Sequence, residues 1–198
     1  MQATRGTALA GVVHRAQKNS SSDRSAPRRT GLVLVTALAV LVADIVSKAV
    51  VVATMDEGDT VRLIDGILKI DYTRNAGAAF SIGTGATVLF TGVAVIVVGV
   101  IIRQARRLVS RSWAVILGLL LGGALGNLVD RLFRSPAPLR GHVVDWIELP
   151  HWPVFNLADS AIVIGGVVAV LLATRGIPLD SQPHQPATQE APDPETQS

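Results

Sequence analysis

Residues 31–53 read GLVLVTALAVLVADIVSKAVVVA, and Asp44 and Lys48 are the only ionisable residues among them. A bilayer core about 30 Å thick is crossed by about 20 helical residues, so this run is long enough to span it. The apolar region of a secretory leader is usually about 7–15 residues, so the stretch reads as an uncleaved span. Similar apolar runs follow at about 84–102, 113–129 and 157–174. Four spans are therefore expected.

The rest of the composition agrees. Of 198 residues, 49% are apolar and 17% charged, against about 25% charged in an ordinary soluble domain. Mean hydropathy is +0.44 and the isoelectric point is near 9.9. Basic residues crowd beside the spans, which is the positive-inside pattern of a membrane protein and not the footprint of a nucleic-acid binder. Cysteine is absent, which excludes disulfides, thiolate nucleophiles and Cys-ligated metal. His14, His142, His151 and His184 form no zinc-hydrolase spacing.

Residues 1–30 carry Arg5, Arg15, Lys18, Arg24, Arg28 and Arg29 against Asp23 alone, and read as a disordered basic arm. Residues 175–198 read as a disordered tail. The link between spans two and three holds Arg103, Arg106, Arg107 and Arg111. Arm and link are expected in the cytoplasm, with both termini inside and loops 54–83 and 130–156 outside. Residues 60–72 (TVRLIDGILKIDY) contain Asp65-Gly66 between apolar stretches, a hairpin signal. The expected fold is an all-α membrane protein with four transmembrane helices and a small extracytoplasmic β-sheet on the outer surface. Gly118, Gly122 and Gly126, and then Ala161 and Gly165, recur at helical spacing and read as helix-packing faces.

The polar residues near the membrane carry the functional information. Asp44 and Lys48 are four apart and share a helix face. By rise per residue, Asp44 lies roughly 14 Å below the outer end of its span. Asn127, Asp130 and Arg131 end the third span, Asp145 lies in the second outer loop, and Asn156 and Asp159 open the fourth span. The topology brings all of these to one leaflet, which implies a polar pocket at the outer surface. Two carboxylates brought close share a proton, so one serves as base and the other as acid. Such a pair can activate water against a peptide carbonyl with no metal or cofactor. From spacing alone, a proton-coupled carrier or a structural ion-pair network also fits these acids. A serine nucleophile is poorly supported. There is no Gly-x-Ser-x-Gly elbow, and the adjacent Ser47 and Lys48 point about 100° apart on a helix. A P-loop is absent as well.

Five segments in order carry a resemblance. They are Asp44-Ile-Val-Ser-Lys48, Asn75-Ala-Gly-Ala-Ala-Phe80-Ser81, Gly122-Gly-Ala-Leu-Gly126-Asn127-Leu-Val-Asp130-Arg131, Val143-Val144-Asp145-Trp146 and Phe155-Asn156-Leu-Ala-Asp159-Ser160. Over about residues 31–174 the chain resembles the lipoprotein signal peptidase (signal peptidase II) family of bacterial inner membranes. The resemblance implies an aspartic endopeptidase that cuts prolipoproteins just before a diacylglyceryl-modified cysteine. Asp145 and Asp159 match the catalytic pair. Asp44, Lys48, Asn75, Gly77, Asn127, Asp130, Arg131 and Asn156 match substrate-binding or supporting positions. The substrate partners would be prolipoproteins and membrane lipid, globomycin-type inhibitors would enter the same pocket, and a monomer is expected. The Gly- and Ala-rich loop after Asn75, with the small sheet, is expected to cover the site.

Overall fold

The computed structural model describes residues 28–77, 83–106 and 108–179. Most of the expected basic arm and tail, and Ala78 to Ser81 of the outer-loop motif, lie outside the described residues. The elements run α1 (Thr30–Thr54), β1 (Thr60–Ile64), β2 (Leu68–Asn75), α2 (Gly83–Ala105), α3 (Arg111–Phe133), β3 (Val143–Glu148) and α4 (Leu157–Thr174). All four helices are long and apolar enough to cross a membrane. Leu34, Leu89, Ile96 and Val170 are among the large apolar residues they leave exposed. In water such surfaces would be a liability, whereas in lipid they are the solvated face. The protein is a multi-pass membrane protein.

Three of the four helices outrun the apolar runs that revealed them, while α4 keeps the expected bounds of 157–174. The third covers 111–133, against an expected 113–129, and the second ends at Ala105, against an expected 102. Charge ends the apolar run without ending the hydrogen-bond ladder. Ser110 caps α3 by accepting the Trp113 N–H (3.5 Å), and the helix stops only where Arg134 turns extended. Asp130 and Arg131 thus sit in the last helical turn, rigidly placed.

Helix α3 is the centre of the bundle, packed against α1, α2 and α4. The small residues make this possible. A Cβ on Gly122 would stand 2.6 Å from the Ala37 carbonyl oxygen, and one on Gly123 would stand 2.5 Å from that of Ala158. In lipid, where no hydrophobic force drives helices together, close backbone approach supplies the packing. Away from the sheet, Val33, Ala37, Ile101, Leu108, Trp113 and Leu117 form the apolar core.

The sheet order is β1-β2-β3, antiparallel throughout. The expected hairpin is present, with Ile67 N–H donating to the Ile64 carbonyl across the turn (3.0 Å) and Gly66 at φ +74°. The third strand, β3, comes from the second loop and is an addition to the expectation. The sheet stands on the C-terminal end of α1, where Val51 packs with Tyr72 and Val144. The pairing of β2 with β3 is irregular. Ile70 pairs with Ile147, yet Thr73 pairs with Asp145, so β2 carries one extra residue, a bulge. Unbulged, the register would put Tyr72 opposite Asp145. The bulge turns Thr73 and Asn75 onto the face of Asp145 instead.

Candidate active site

The C-terminal ends of α1 and α3, the N-terminus of α4 and strands β2 and β3 meet at the sheet end of the bundle. Ten residues from Asp44 to the end of α1 correspond to about 15 Å, so this carboxylate lies well inside the bundle. It is fully buried, as is Lys48. Lys48 Nζ lies 2.7 Å from Asp44 Oδ2 and 2.9 Å from Asp130 Oδ2. Asp130 also pairs with Arg134 one turn on. The four charges therefore alternate in sign and sum to zero, which is how buried ions are tolerated. Asp44 Oδ1 accepts the Ala158 N–H (3.0 Å), one of the orphan donors of the first turn of α4. Gly126 leaves room for this carboxylate, since a Cβ there would come within 2.5 Å of Asp44 Oδ2.

Above this ionic floor lies a layer of amides. Lys48 Nζ donates to Asn127 Oδ1 (3.2 Å), so the Asn127 amide must turn its nitrogen outward. That nitrogen donates to Asp159 Oδ1 (2.7 Å). Asn156 is the N-cap of α4, accepting the Asp159 N–H (2.9 Å) while its own N–H reaches Asp159 Oδ2 (3.3 Å). This capping box fixes the Asp159 carboxylate in the first helical turn. Asn156 Nδ2 donates to Asp145 Oδ1 (2.7 Å), and Asn75 Nδ2 donates to Asp145 Oδ2 (3.0 Å). Asn75 is held in turn by the Gly77 N–H, which donates to its Oδ1 (2.8 Å). Gly77 has φ +99°, and a Cβ there would press on the Phe90 ring at 3.2 Å, so glycine serves both the backbone and the packing.

Two carboxylates from different elements are thus held by amides from β2, α3 and the N-cap of α4. Asp145 is 2% exposed. Burial, with the charge of Asp159 nearby, pushes its carboxyl from 3.8 up to about 6, although Asn75 and Asn156 pull the other way. The pair is suited to holding one proton between them near neutrality.

The ten candidate site residues named from the sequence all gather at this end of the bundle. Sequence reasoning missed Arg134, although its place four residues after Asp130 was a readable signal. It also missed Phe90, whose ring lies 5.8 Å beneath the Arg131 guanidinium. Two apolar grooves flank the acids. One, of about 370 Å³, runs between α2, α3 and α4 below Asn127 and Arg131. The other, of about 400 Å³, lies beside Asp159 under Trp152 and Phe155.

A carboxylate pair, one member buried and the other half-buried, at one end of a bundle of membrane spans and flanked by apolar grooves, places the chain among multi-pass membrane enzymes. The sequence profile of the family described as Signal peptidase (SPase) II matches residues 36–175, and the chain belongs to that peptidase family. It is 48% identical over 158 residues to a lipoprotein signal peptidase of Streptomyces coelicolor, covering 80% of this chain and 78% of that one. It is likewise 48% identical over 155 residues to the lipoprotein signal peptidase of Mycobacterium leprae, with 78% and 77% covered. Among solved structures, a bacterial membrane enzyme aligns with TM-score 0.65 at 30% identity, covering 73% of this chain and 88% of that one.

Proposed function

We propose that the protein removes signal peptides from diacylglyceryl-modified prolipoproteins, cutting before the lipid-bearing cysteine, and that it does so as an aspartic endopeptidase. Membership of the signal peptidase II family supports the substrate class. The observation that carries the chemistry is the pair Asp145 and Asp159, each gripped through both carboxylate oxygens. Asp159 stands at the N-terminus of α4, where the helix dipole favours negative charge, and is the base that takes a proton from water. Asp145, whose burial favours the protonated form, donates to the scissile carbonyl oxygen as the tetrahedral carbon forms. As the C–N bond breaks, Asp159 gives the proton it took from water to the leaving amine, and Asp145 recovers its own from the hydroxyl it had protonated, which leaves a carboxylic acid and restores the pair. No cofactor enters the scheme. The amides of Asn75, Asn127 and Asn156 keep both carboxylates in place during the reaction, so little reorganisation is needed.

The proposed orientation follows the charge pattern, and the inhibitor class follows the family. The domain of residues 31–174 lies in the bacterial cytoplasmic membrane with the sheet end at the outer leaflet and both termini in the cytoplasm. The protein acts as a monomer, and globomycin-type inhibitors compete for the same pocket. The test is cleavage of a diacylglyceryl-modified prolipoprotein by purified protein in detergent. Asp145→Asn and Asp159→Asn should each lose at least about 10²-fold in rate while remaining folded. Cleavage surviving either substitution would remove that residue from the pair. No cleavage by the parent protein would bring forward a proton-coupled carrier.

A further inference from the structure

We infer that the groove between α2, α3 and α4 is the seat of one acyl chain of the substrate's diacylglyceryl group, with Arg131 meeting the ester oxygens at its mouth; this rests on the proposed peptidase function. The groove is walled by a strip on each of two helices, with Ile162 of α4 on its side. On α2 it runs from Phe90 through Val97 to Ile101, and on α3 from Arg131 through Ala124 to Leu120. Each strip covers twelve residues, eleven steps or about 16 Å along the helix. Helices α2 and α4 both pack on α3 but scarcely touch each other, so the groove opens sideways between them. Its lining is apolar except at the sheet end, where Asn127 and Arg131 stand. A long, narrow, apolar slot with a polar mouth matches an acyl chain below an ester. A signal helix, about 10 Å across, does not fit a slot of about 370 Å³.

The mouth carries a second, independent sign. Arg131 Nη1 is buried and has no hydrogen-bond partner among the described residues. A buried guanidinium N–H without an acceptor is costly, and an ester carbonyl would supply the acceptor. The same mouth is one side chain from the chemistry, since Asn127 donates to Asp159 at 2.7 Å. The other groove is a poorer match. It holds no cation, and on α4 it extends only from Asp159 to Ile164, about 8 Å.

Lipid tails are as apolar as the groove, so entering it gains little from burial. What the groove supplies is position. A chain held there fixes the thioether, and with it the scissile bond, relative to the two carboxylates. The effect belongs to long chains alone.

The experiment compares a prolipoprotein bearing palmitoyl chains with one bearing acetyl groups on the same glyceryl thioether. Ala94, half-buried in the groove wall, is replaced by Phe to fill the slot. Val95→Phe, at an exposed position on the same helix, is the control for folding and lipid contact. Ala94→Phe should lower kcat/KM for the palmitoyl substrate at least about tenfold and leave the acetyl substrate and the Val95→Phe control at the parent rate. Equal losses on both substrates, or no loss on either, would overturn the seat while leaving the peptidase reading intact. Absence of cleavage by the parent would strike the underlying function instead. A photoreactive group at the end of one palmitoyl chain, bound to Asp145→Asn protein, should label α2 between Val97 and Ile101. Labelling confined to bilayer lipid or to α4 overturns the proposal whatever the kinetics show.

Discussion

Asp145 carries a conflict between stability and its proposed chemistry. Its carboxyl is raised from 3.8 to about 6 by burial and by Asp159, a gap of about two units, or about 3 kcal/mol at 1.36 kcal/mol per unit. The folded protein therefore holds this proton more tightly than the unfolded chain does. Stability is fully present below about pH 4 and declines as pH rises through 6. Asparagine cannot ionise, so Asp145→Asn should melt above the parent at pH 8, with the gap closing as pH falls toward 4. The gain is trimmed where the new amide nitrogen faces one of the donors Asn75 and Asn156. A gap independent of pH would sink this account. Lys48 presents the opposite case. Replacing it by Met leaves Asp44 and Asp130 buried without their shared cation, a loss of about 3 kcal/mol or more. Adding Asp44→Asn should recover part of it in thermal melts in the same detergent. If Lys48→Met melts like the parent, the ionic floor is not structural. The pairing of Asp44 with Lys48 was legible because the helical period places them on one face. The contact of Lys48 with Asp130 was not, because it depends on how closely α3 approaches α1.

That approach is a property of the elements. Gly126 faces Asp44 so closely that a Cβ would come within 2.5 Å of its carboxylate oxygen, whereas Gly99 on α2 faces open space. Gly126→Ala should therefore destabilise the bundle by about 1–3 kcal/mol through overpacking and misplace the ionic floor, with activity falling as well. Gly99→Ala should stabilise by about 0.5–1 kcal/mol through helix propensity. Equal melting shifts for the two would show that the glycine stripe does not set the helix spacing. The stripe itself was readable at period four, as was the hairpin at Asp65-Gly66. Strand β3 was not. Val143, Val144 and Asp145 are all buried, so the strand lacks the alternation by which a half-exposed strand is recognised. The bulge in β2 was also beyond reach. It exists only in the pairing of two distant segments, yet it decides that Asn75 and not Arg74 shares a face with Asp145.

At the scale of the whole molecule, the end opposite the site carries basic residues and, among the described residues, no acids. Asn75, Asp145, Asn156 and Asp159 stand at the sheet end. Arg28 and Arg29 precede α1, Arg103 and Arg106 close α2, Arg111 opens α3 and Arg175 follows α4. All of these arginines are at the far end. A carrier needs polar access from both faces, whereas an enzyme that acts on an outer-leaflet lipoprotein needs it at one. In the proposed topology, retention of these arginines in the cytoplasm would fix the orientation and deliver the carboxylates to the outer surface. The chain contains no cysteine, so single cysteines report topology without background. Asp65→Cys lies in the exposed hairpin turn, and Arg106→Cys at the exposed end of α2. In spheroplasts, a membrane-impermeant maleimide should label Asp65→Cys and spare Arg106→Cys, and inverted vesicles should reverse the pattern. Labelling of Arg106→Cys from outside would turn the molecule over. It would leave the carboxylate pair facing the cytoplasm, where lipid-modified prolipoproteins on the outer leaflet could not reach it.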